Sequence, residues 1–117
     1  MTTEATQTGR EFDYQYATEI NGVTTLAGIV ETFFNPGSKH VRQAILRLPA
    51  FKHEPTVTAT IHSKQSPGPM FAIFNIDWRP EGDHSICKIS AQVIGASGNE
   101  FLYHCNFIIV GELGQPK

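Results

Sequence analysis

Apolar and polar residues alternate along most of this chain, and no segment carries a helical stripe over more than two turns. Residues 56–62 (TVTATIH) alternate without a break and place threonines on one face, as in a strand with one face in water. The same period of two recurs at 86–93 and 101–110, and 70–77 is expected to be a buried strand. The pattern predicts an all-β protein, a single antiparallel β-sandwich of about six strands preceded by an N-terminal β segment.

The N-terminal β segment is predicted from aromatic residues and turn signals. Phe12–Ala17 is expected to be a strand with its aromatic side chains on one face, and Asn21-Gly22 is a dipeptide favoured in tight hairpin turns. A second strand is expected from Val23 to about Phe34. Asn35-Pro36-Gly37 would end it, because proline lacks an amide proton and glycine permits the reversal.

Residues 40–48 fit either a strand or a short helix, since their apolar positions match both periods. We interpret them as a strand because Pro49 and Pro55 bracket a short segment among strands. Four regions follow: a flexible tail at 1–9, the N-terminal β segment and expected oligomer contact at 10–37, the sandwich domain at 38–112, and a tail at 113–117.

A hairpin is predicted around the turn at 95–99 (GASGN). If the turn is centred on Ala96, Cys87 lies opposite Cys105 on the neighbouring strand. Directly opposed strand cysteines need strained geometry to form a disulfide, and reduced cysteine is common in protein cores, so we predict two buried free thiols. The core candidates are Val57, Ala59, Ile61, Ile73, Ile89, Ala91, Phe101, Cys105, Phe107 and Ile109.

Composition narrows the possible partners. The chain of 117 residues has 9 Lys+Arg and 11 Asp+Glu, which gives a net charge of -2. It therefore has no strong positive potential to attract nucleic acid. No apolar run approaches the ~18 residues of a membrane span, and residues 1–10 lack the apolar core of a secretory signal. We therefore expect one folded domain made in the cytoplasm, without nucleic acid or a membrane span.

Motifs for catalysis and metal binding are missing from the sequence. It has no G-x-G-x-x-G, Walker loop or H-E-x-x-H, and Gly95–Gly98 is one residue short of a nucleophile elbow. The histidines have neither His-x-His nor His-x-x-x-His spacing. Glu11 and Asp13, or Asp77, Glu81 and Asp83, could supply carboxylate pairs for acid–base catalysis, but such pairs are frequent on solvated loops. We predict that the protein is not an enzyme and needs no metal or cofactor.

Trp78, the only tryptophan, lies in a predicted loop with Arg79, Asp83 and His84. An aromatic ring beside such groups suits a sugar, whose C–H face stacks on the ring while its hydroxyls bind the charged groups. The alternative is structural: Trp78 caps the end of the core, and Arg79 pairs with Glu81 or Asp83.

Apolar anchors run in a fixed order from Val41 to Glu112. They are Ile45–Leu48, Phe51 followed by Pro55-Thr56-Val57, Ala59–Ile61, Phe71–Ile76, and the terminal FIIVGE of residues 107–112. This order resembles the H-type lectin domain, the six-stranded antiparallel β-sandwich of snail agglutinins and discoidins. Similar domains form tips of phage tail fibres, joined to an N-terminal β segment like residues 10–35. The resemblance implies trimers or dimers of trimers, with N-acetylgalactosamine bound between protomers.

The sequence departs from that family where the sugar binds. The family has a Trp-Ala-Asp type loop before its last strand, where this chain has Val93–Ser97. Met70-Phe71 stands where an arginine is expected early in the third strand. A glycan would be bound either by Ser97, Asn99 and nearby backbone, or by the Trp78 loop at the other end of the sandwich.

Tyr14, Tyr16, Phe33 and Phe34 give the N-terminal segment more aromatic surface than a small sandwich needs, which predicts a homo-oligomer. The expected function is a carbohydrate- or receptor-binding module of a homotrimer, such as a phage tail-fibre or virion attachment component, located in the virion or outside the cell after assembly. The alternative is a structural virion or assembly protein that binds other virion proteins and has no sugar site.

Overall fold

The computed structural model describes residues 3–5, 12–31, 40–63, 70–94 and 103–115. These residues form eight strands and no helix. The strands are β1 (Thr3–Ala5), β2 (Tyr16–Ile20), β3 (Val23–Val30), β4 (Val41–Pro49), β5 (Thr56–Ser63), β6 (Met70–Glu81), β7 (His84–Ile94) and β8 (Tyr103–Gly111).

The strands form two antiparallel sheets that pack as a β-sandwich, so the predicted fold class is confirmed. The larger sheet has the order β1-β2-β3-β8-β5, and the smaller has the order β4-β7-β6. β3 pairs with β8 from Thr24 opposite Gly111 to Val30 opposite Cys105. The N-terminal strands β2 and β3 are therefore part of the larger sheet.

The core lies between the sheets and is built from the inward-facing position of each strand. Six predicted core residues are buried, namely Ile61, Ile89, Ala91, Cys105, Phe107 and Ile109. Val57, Ala59 and Ile73 are partly buried against them, while Phe101 lies outside the described residues. The residues of this core cluster that were not predicted are Leu26, Ala44, Leu46, Leu48 and Phe51.

The predicted hairpin between β7 and β8 is wrong. β7 pairs with β4 and β6 in the smaller sheet, whereas β8 pairs with β3 and β5 in the larger one. Cys87 consequently lies opposite Leu46 and Trp78, not opposite Cys105. The alternating pattern of a strand shows which of its faces is buried. Two consecutive strands have the same pattern whether they pair within one sheet or lie in opposite sheets across the core, so the pattern cannot distinguish these arrangements.

Cys87 and Cys105 are nonetheless free and fully buried in one core cluster, as predicted. Burial raises the pKa of Cys87 to about 12, with smaller contributions from Asp77 and Cys105. Burial also raises the pKa of Cys105 to about 11. Both thiols are therefore protonated at neutral pH and behave as small apolar side chains.

Two tight turns organise the hairpins within the sheets. Asn21 and Gly22 have φ values of 52° and 85°, the two positive angles of a type I′ turn, which confirms the predicted reversal. The predicted loop that contains Trp78 and His84 is shorter than expected, because β6 continues to Glu81 and only Gly82 and Asp83 form the turn. Gly82 supplies a positive φ of 73° at the first turn position, where a side chain would be strained.

Residues 12–15, here named the N-terminal clasp, bind to both sheets. They are not a strand, in contrast to the prediction for Phe12–Ala17, because β2 begins at Tyr16. Asp13 pairs with β4: its amide donates to the Arg47 carbonyl at 2.9 Å, and its carboxylate accepts from the Arg47 amide at 2.7 Å. The clasp therefore satisfies backbone groups along the edge of the smaller sheet.

Gln15 makes the equivalent contacts on the larger sheet. Its side-chain amide donates to the Ile29 carbonyl at 3.1 Å, and its side-chain oxygen accepts from the Ile29 amide at 2.6 Å. Its backbone amide donates to the Ala27 carbonyl at 3.0 Å. Asp13 and Gln15, two residues apart, thus connect β4 of one sheet to β3 of the other.

One end of the sandwich is closed by the connection between β4 and β5. Phe51 in this connection forms a bridge with Leu113, and the Lys52 amide donates to the Glu112 carbonyl at 2.9 Å. The Gly114 amide donates to the Ala50 carbonyl at 3.0 Å. The C-terminal residues after β8 are in this way attached to the segment that crosses between the sheets.

Candidate ligand-binding face

Trp78 lies on the core side of β6. It packs against the core cluster and is opposite Cys87 in the neighbouring strand. Its ring meets the buried Phe51 edge-on, with centroids 6.4 Å apart. The indole Nε1 is buried and has no hydrogen-bond partner. This position matches the structural interpretation of Trp78 as a cap on the end of the core.

Arg79 points to the other side of the same strand because successive strand residues alternate. Its Nε donates to Asp77 Oδ2 at 3.0 Å, and 72% of its side chain is exposed. Its ion-pair partner is therefore Asp77 and not Glu81 or Asp83, the partners expected from the sequence. The structure separates Trp78 from Arg79, so these two residues do not form one surface.

Asp83 and His84 form a local pair at the turn between β6 and β7. His84 Nδ1 lies 2.9 Å from Asp83 Oδ1, with the carboxylate almost fully exposed and the imidazole mostly buried. The hydrogen bond from His84 lowers the pKa of the exposed Asp83 carboxylate. Ser97 and Asn99, the remaining predicted sugar-binding residues, lie outside the described residues.

A β-bulge in β6 exposes an aromatic ring that the sequence analysis did not single out. The pairing of β6 with β7 shifts register between Ile73 and Asn75, leaving Phe74 without a partner. The Phe74 side chain is 60% exposed. Bulges re-aim side chains and are over-represented next to functional sites.

The sequence does contain a signal for this bulge. Before the bulge, the core-facing apolar residues of β6 have odd numbers, Phe71 and Ile73. After the bulge, the core-facing residue Trp78 has an even number. A change of parity within one strand requires one extra residue, since side chains otherwise alternate with a period of two. Phe74 belongs to this interruption.

Polar side chains surround the bulge on the outer surface of the smaller sheet. Asn75 lies opposite Ser90, and Ser90 lies opposite Gln43, whose Nε2 donates to the Ser90 hydroxyl at 3.1 Å. In the next row Asp77 lies opposite Lys88. We call this surface the polar face; it comprises Gln43, Phe74, Asn75, Asp77, Arg79, Lys88 and Ser90.

The outer surface of the larger sheet also carries exposed apolar side chains. Five of its side chains are 41 to 64% exposed, namely Tyr16, Ile20, Val23, Ile29 and Ile108. They lie on β2, β3 and β8, and we call this surface the apolar face. Ala27 connects two of them, because it pairs with Tyr16 on one side and Ile108 on the other.

The described part of the chain contains neither a large cluster of metal-ligand side chains nor a helix that could cross a membrane. No group of three or more His, Cys, Asp or Glu side chains there is arranged to hold an ion. No helix in that part has the length and apolar character needed to cross a membrane.

Comparison with known proteins gives no further assignment. The chain matches no family model, no curated protein and no solved structure.

Proposed function

We propose that this chain is a carbohydrate-binding module of a homo-oligomeric protein, with the sugar on the polar face. The observation that carries the proposal is the Phe74 ring, turned to solvent by the bulge beside the Asn75 amide and the Asp77–Arg79 ion pair. A sugar ring stacks its C–H face on an aromatic side chain. Its hydroxyls pair with amide and charged groups, whose hydrogen bonds are the stronger ones.

The polar face has the composition for this chemistry. The Gln43 and Asn75 amides offer both donors and acceptors, Asp77 accepts, and Arg79 and Lys88 donate. The Asp77–Arg79 pair is held by a direct hydrogen bond, which orients both groups before a ligand arrives. Such preorganisation lowers the entropic cost of binding.

A glycan array probed with the wild-type protein tests the proposal. We expect binding to at least one glycan, and a loss of about tenfold or more in affinity, about 1.4 kcal/mol, for Phe74→Ala and for Arg79→Ala. Met70→Ala is the matched control for the ring, since Met70 is a similarly exposed apolar side chain at the first position of β6, four residues before Phe74. Equal affinities for the wild type and both polar-face variants would contradict the proposal.

The apolar face supports the oligomer and also a second function. Its exposed side chains exceed the isolated apolar residues normal on a monomer, and such surfaces mark protein–protein contacts. The resemblance to H-type lectins favours a trimer, in which several weak sites gain affinity through multivalency. The same face would serve a structural virion or assembly protein, the second candidate function. Phe33 and Phe34, also expected in the contact, lie outside the described residues.

Light scattering tests the oligomer separately. We expect the wild type to have a mass several times 12.9 kDa, and Ile108→Asp to shift it toward the monomer, because an isolated charge opposes burial in a contact. Ile45→Asp is the control, since Ile45 is partly exposed on the smaller sheet. A wild-type protein of monomer mass would contradict the contact. An oligomer that binds no glycan would favour the structural candidate.

A further inference from the structure

His62 and His104 form a pair on the outer surface of the larger sheet. They are direct partners in the antiparallel pairing of β5 with β8. Their ring centroids lie 5.7 Å apart, with an angle of 42° between the ring planes. His62 is exposed and His104 is half-buried, so solvent reaches the pair. Neither residue belongs to the polar face.

The environment of His62 leaves one ring nitrogen available. Its Nε2 lies 3.0 Å from the Thr60 hydroxyl oxygen. If the hydroxyl accepts the Nε2 proton, Nδ1 carries the free lone pair. Histidines that bind metals commonly donate their other ring N–H to an oxygen in this way, which fixes the tautomer and the ring orientation.

We propose that His62 and His104 bind one late first-row divalent ion, with Cu²⁺ held most tightly, and that water completes the coordination. Two nitrogen–metal bonds of about 2.0–2.1 Å, together with the width of the two rings, span a centroid separation of this size. Imidazole nitrogen suits Cu²⁺, Ni²⁺ and Zn²⁺, and Cu²⁺ leads this series in affinity. The rigid pairing of β5 with β8 holds both ligands in place.

Copper titration of the full chain tests the site, with excess glycine present to suppress binding to single histidines and the chain terminus. We expect one Cu²⁺ per chain and an electron paramagnetic resonance spectrum with hyperfine coupling to two imidazole nitrogens. His62→Gln and His104→Gln should each weaken binding by about tenfold or more. His53→Gln is the control, since His53 is exposed in the connection between β4 and β5.

Thr60 acts as a positioning residue for His62. Thr60→Val should weaken Cu²⁺ binding several-fold, and Thr60→Ser, which keeps the hydroxyl, should restore it. Unchanged thermal unfolding in each variant would show that the fold is intact. The proposal is overturned if the double variant His62→Gln/His104→Gln keeps the wild-type affinity and spectrum, or if the wild type binds no more tightly than this variant.

Discussion

Replacing Phe51 with alanine is expected to destabilise the fold by about 3–5 kcal/mol, the range for truncating a fully buried phenylalanine. Phe51 has no exposed surface and lies where the two sheets meet. Its ring contacts Trp78 of the smaller sheet, and a Cβ built on Gly111 of the larger sheet would lie only 2.9 Å from its Cδ2. Removal of the ring would therefore leave a cavity bordered by both sheets.

Urea unfolding followed by circular dichroism measures this loss. Phe74→Ala is the matched control, because the same atoms are removed from a ring that is 60% exposed, and its cost should stay below about 1 kcal/mol. Phe51→Ala should thus lower the free energy of unfolding, whereas Phe74→Ala should lower glycan affinity with little effect on stability. A Phe51→Ala protein within 1 kcal/mol of the wild type would show that Phe51 does not join the sheets.

The sequence did not identify Phe51 as a core residue from periodicity, because it lies outside the strands. It stands between Pro49 and Pro55 in a connection where no alternation defines an inner face. The burial of Ser85 was not predicted either. Ser85 is fully buried, and its hydroxyl donates to the Pro49 carbonyl at 2.7 Å. Such contacts depend on how the chain crosses between sheets, which local patterns do not contain.

Alternation predicted the strands and their inner faces well, but it did not predict which strands pair. Residues 56–62 and 86–93 lie in the expected strands, and Ile61 and Ile89 face the core as predicted. The prediction that Cys105 pairs with Cys87 was wrong. Cys105 lies opposite Val30 on β3 and Ile61 on β5. Pairing is set by the total packing of both sheets, and a change of partner leaves the local pattern of each strand unchanged.

The candidate site was predicted only in part for a related reason. Arg79 was identified from its charge, and the structure places it on an exposed surface. Trp78 beside it faces the core, because neighbouring strand residues point to opposite sides. A predicted loop would have permitted both to share a surface, whereas the observed strand does not. Phe74 becomes a candidate only when the change of parity in β6 is recognised.

Substituting Gly28 with valine is expected to destabilise the fold by about 3 kcal/mol, at the upper end of ordinary overpacking. Gly28 lies on the inner side of β3, and a Cβ there would be 2.5 Å from Gln15 Oε1 and 2.9 Å from Phe107 Cζ. Phe107 is buried and Gln15 Oε1 accepts from the Ile29 amide, so neither neighbour moves freely. The added side chain would displace the N-terminal clasp from the larger sheet.

Ala27→Val is the control, because Ala27 is the adjacent β3 residue on the outer surface and valine favours strands. Its effect on the free energy of unfolding should lie within about 0.5 kcal/mol, as for most surface substitutions. Gln15→Ala should cost less than Gly28→Val, about 1–2 kcal/mol, because it removes two hydrogen bonds without adding volume. If Gly28→Val and Ala27→Val were equally stable, the close contact among Gly28, Gln15 and Phe107 would not constrain β3, and the clasp would contribute little to joining the two sheets.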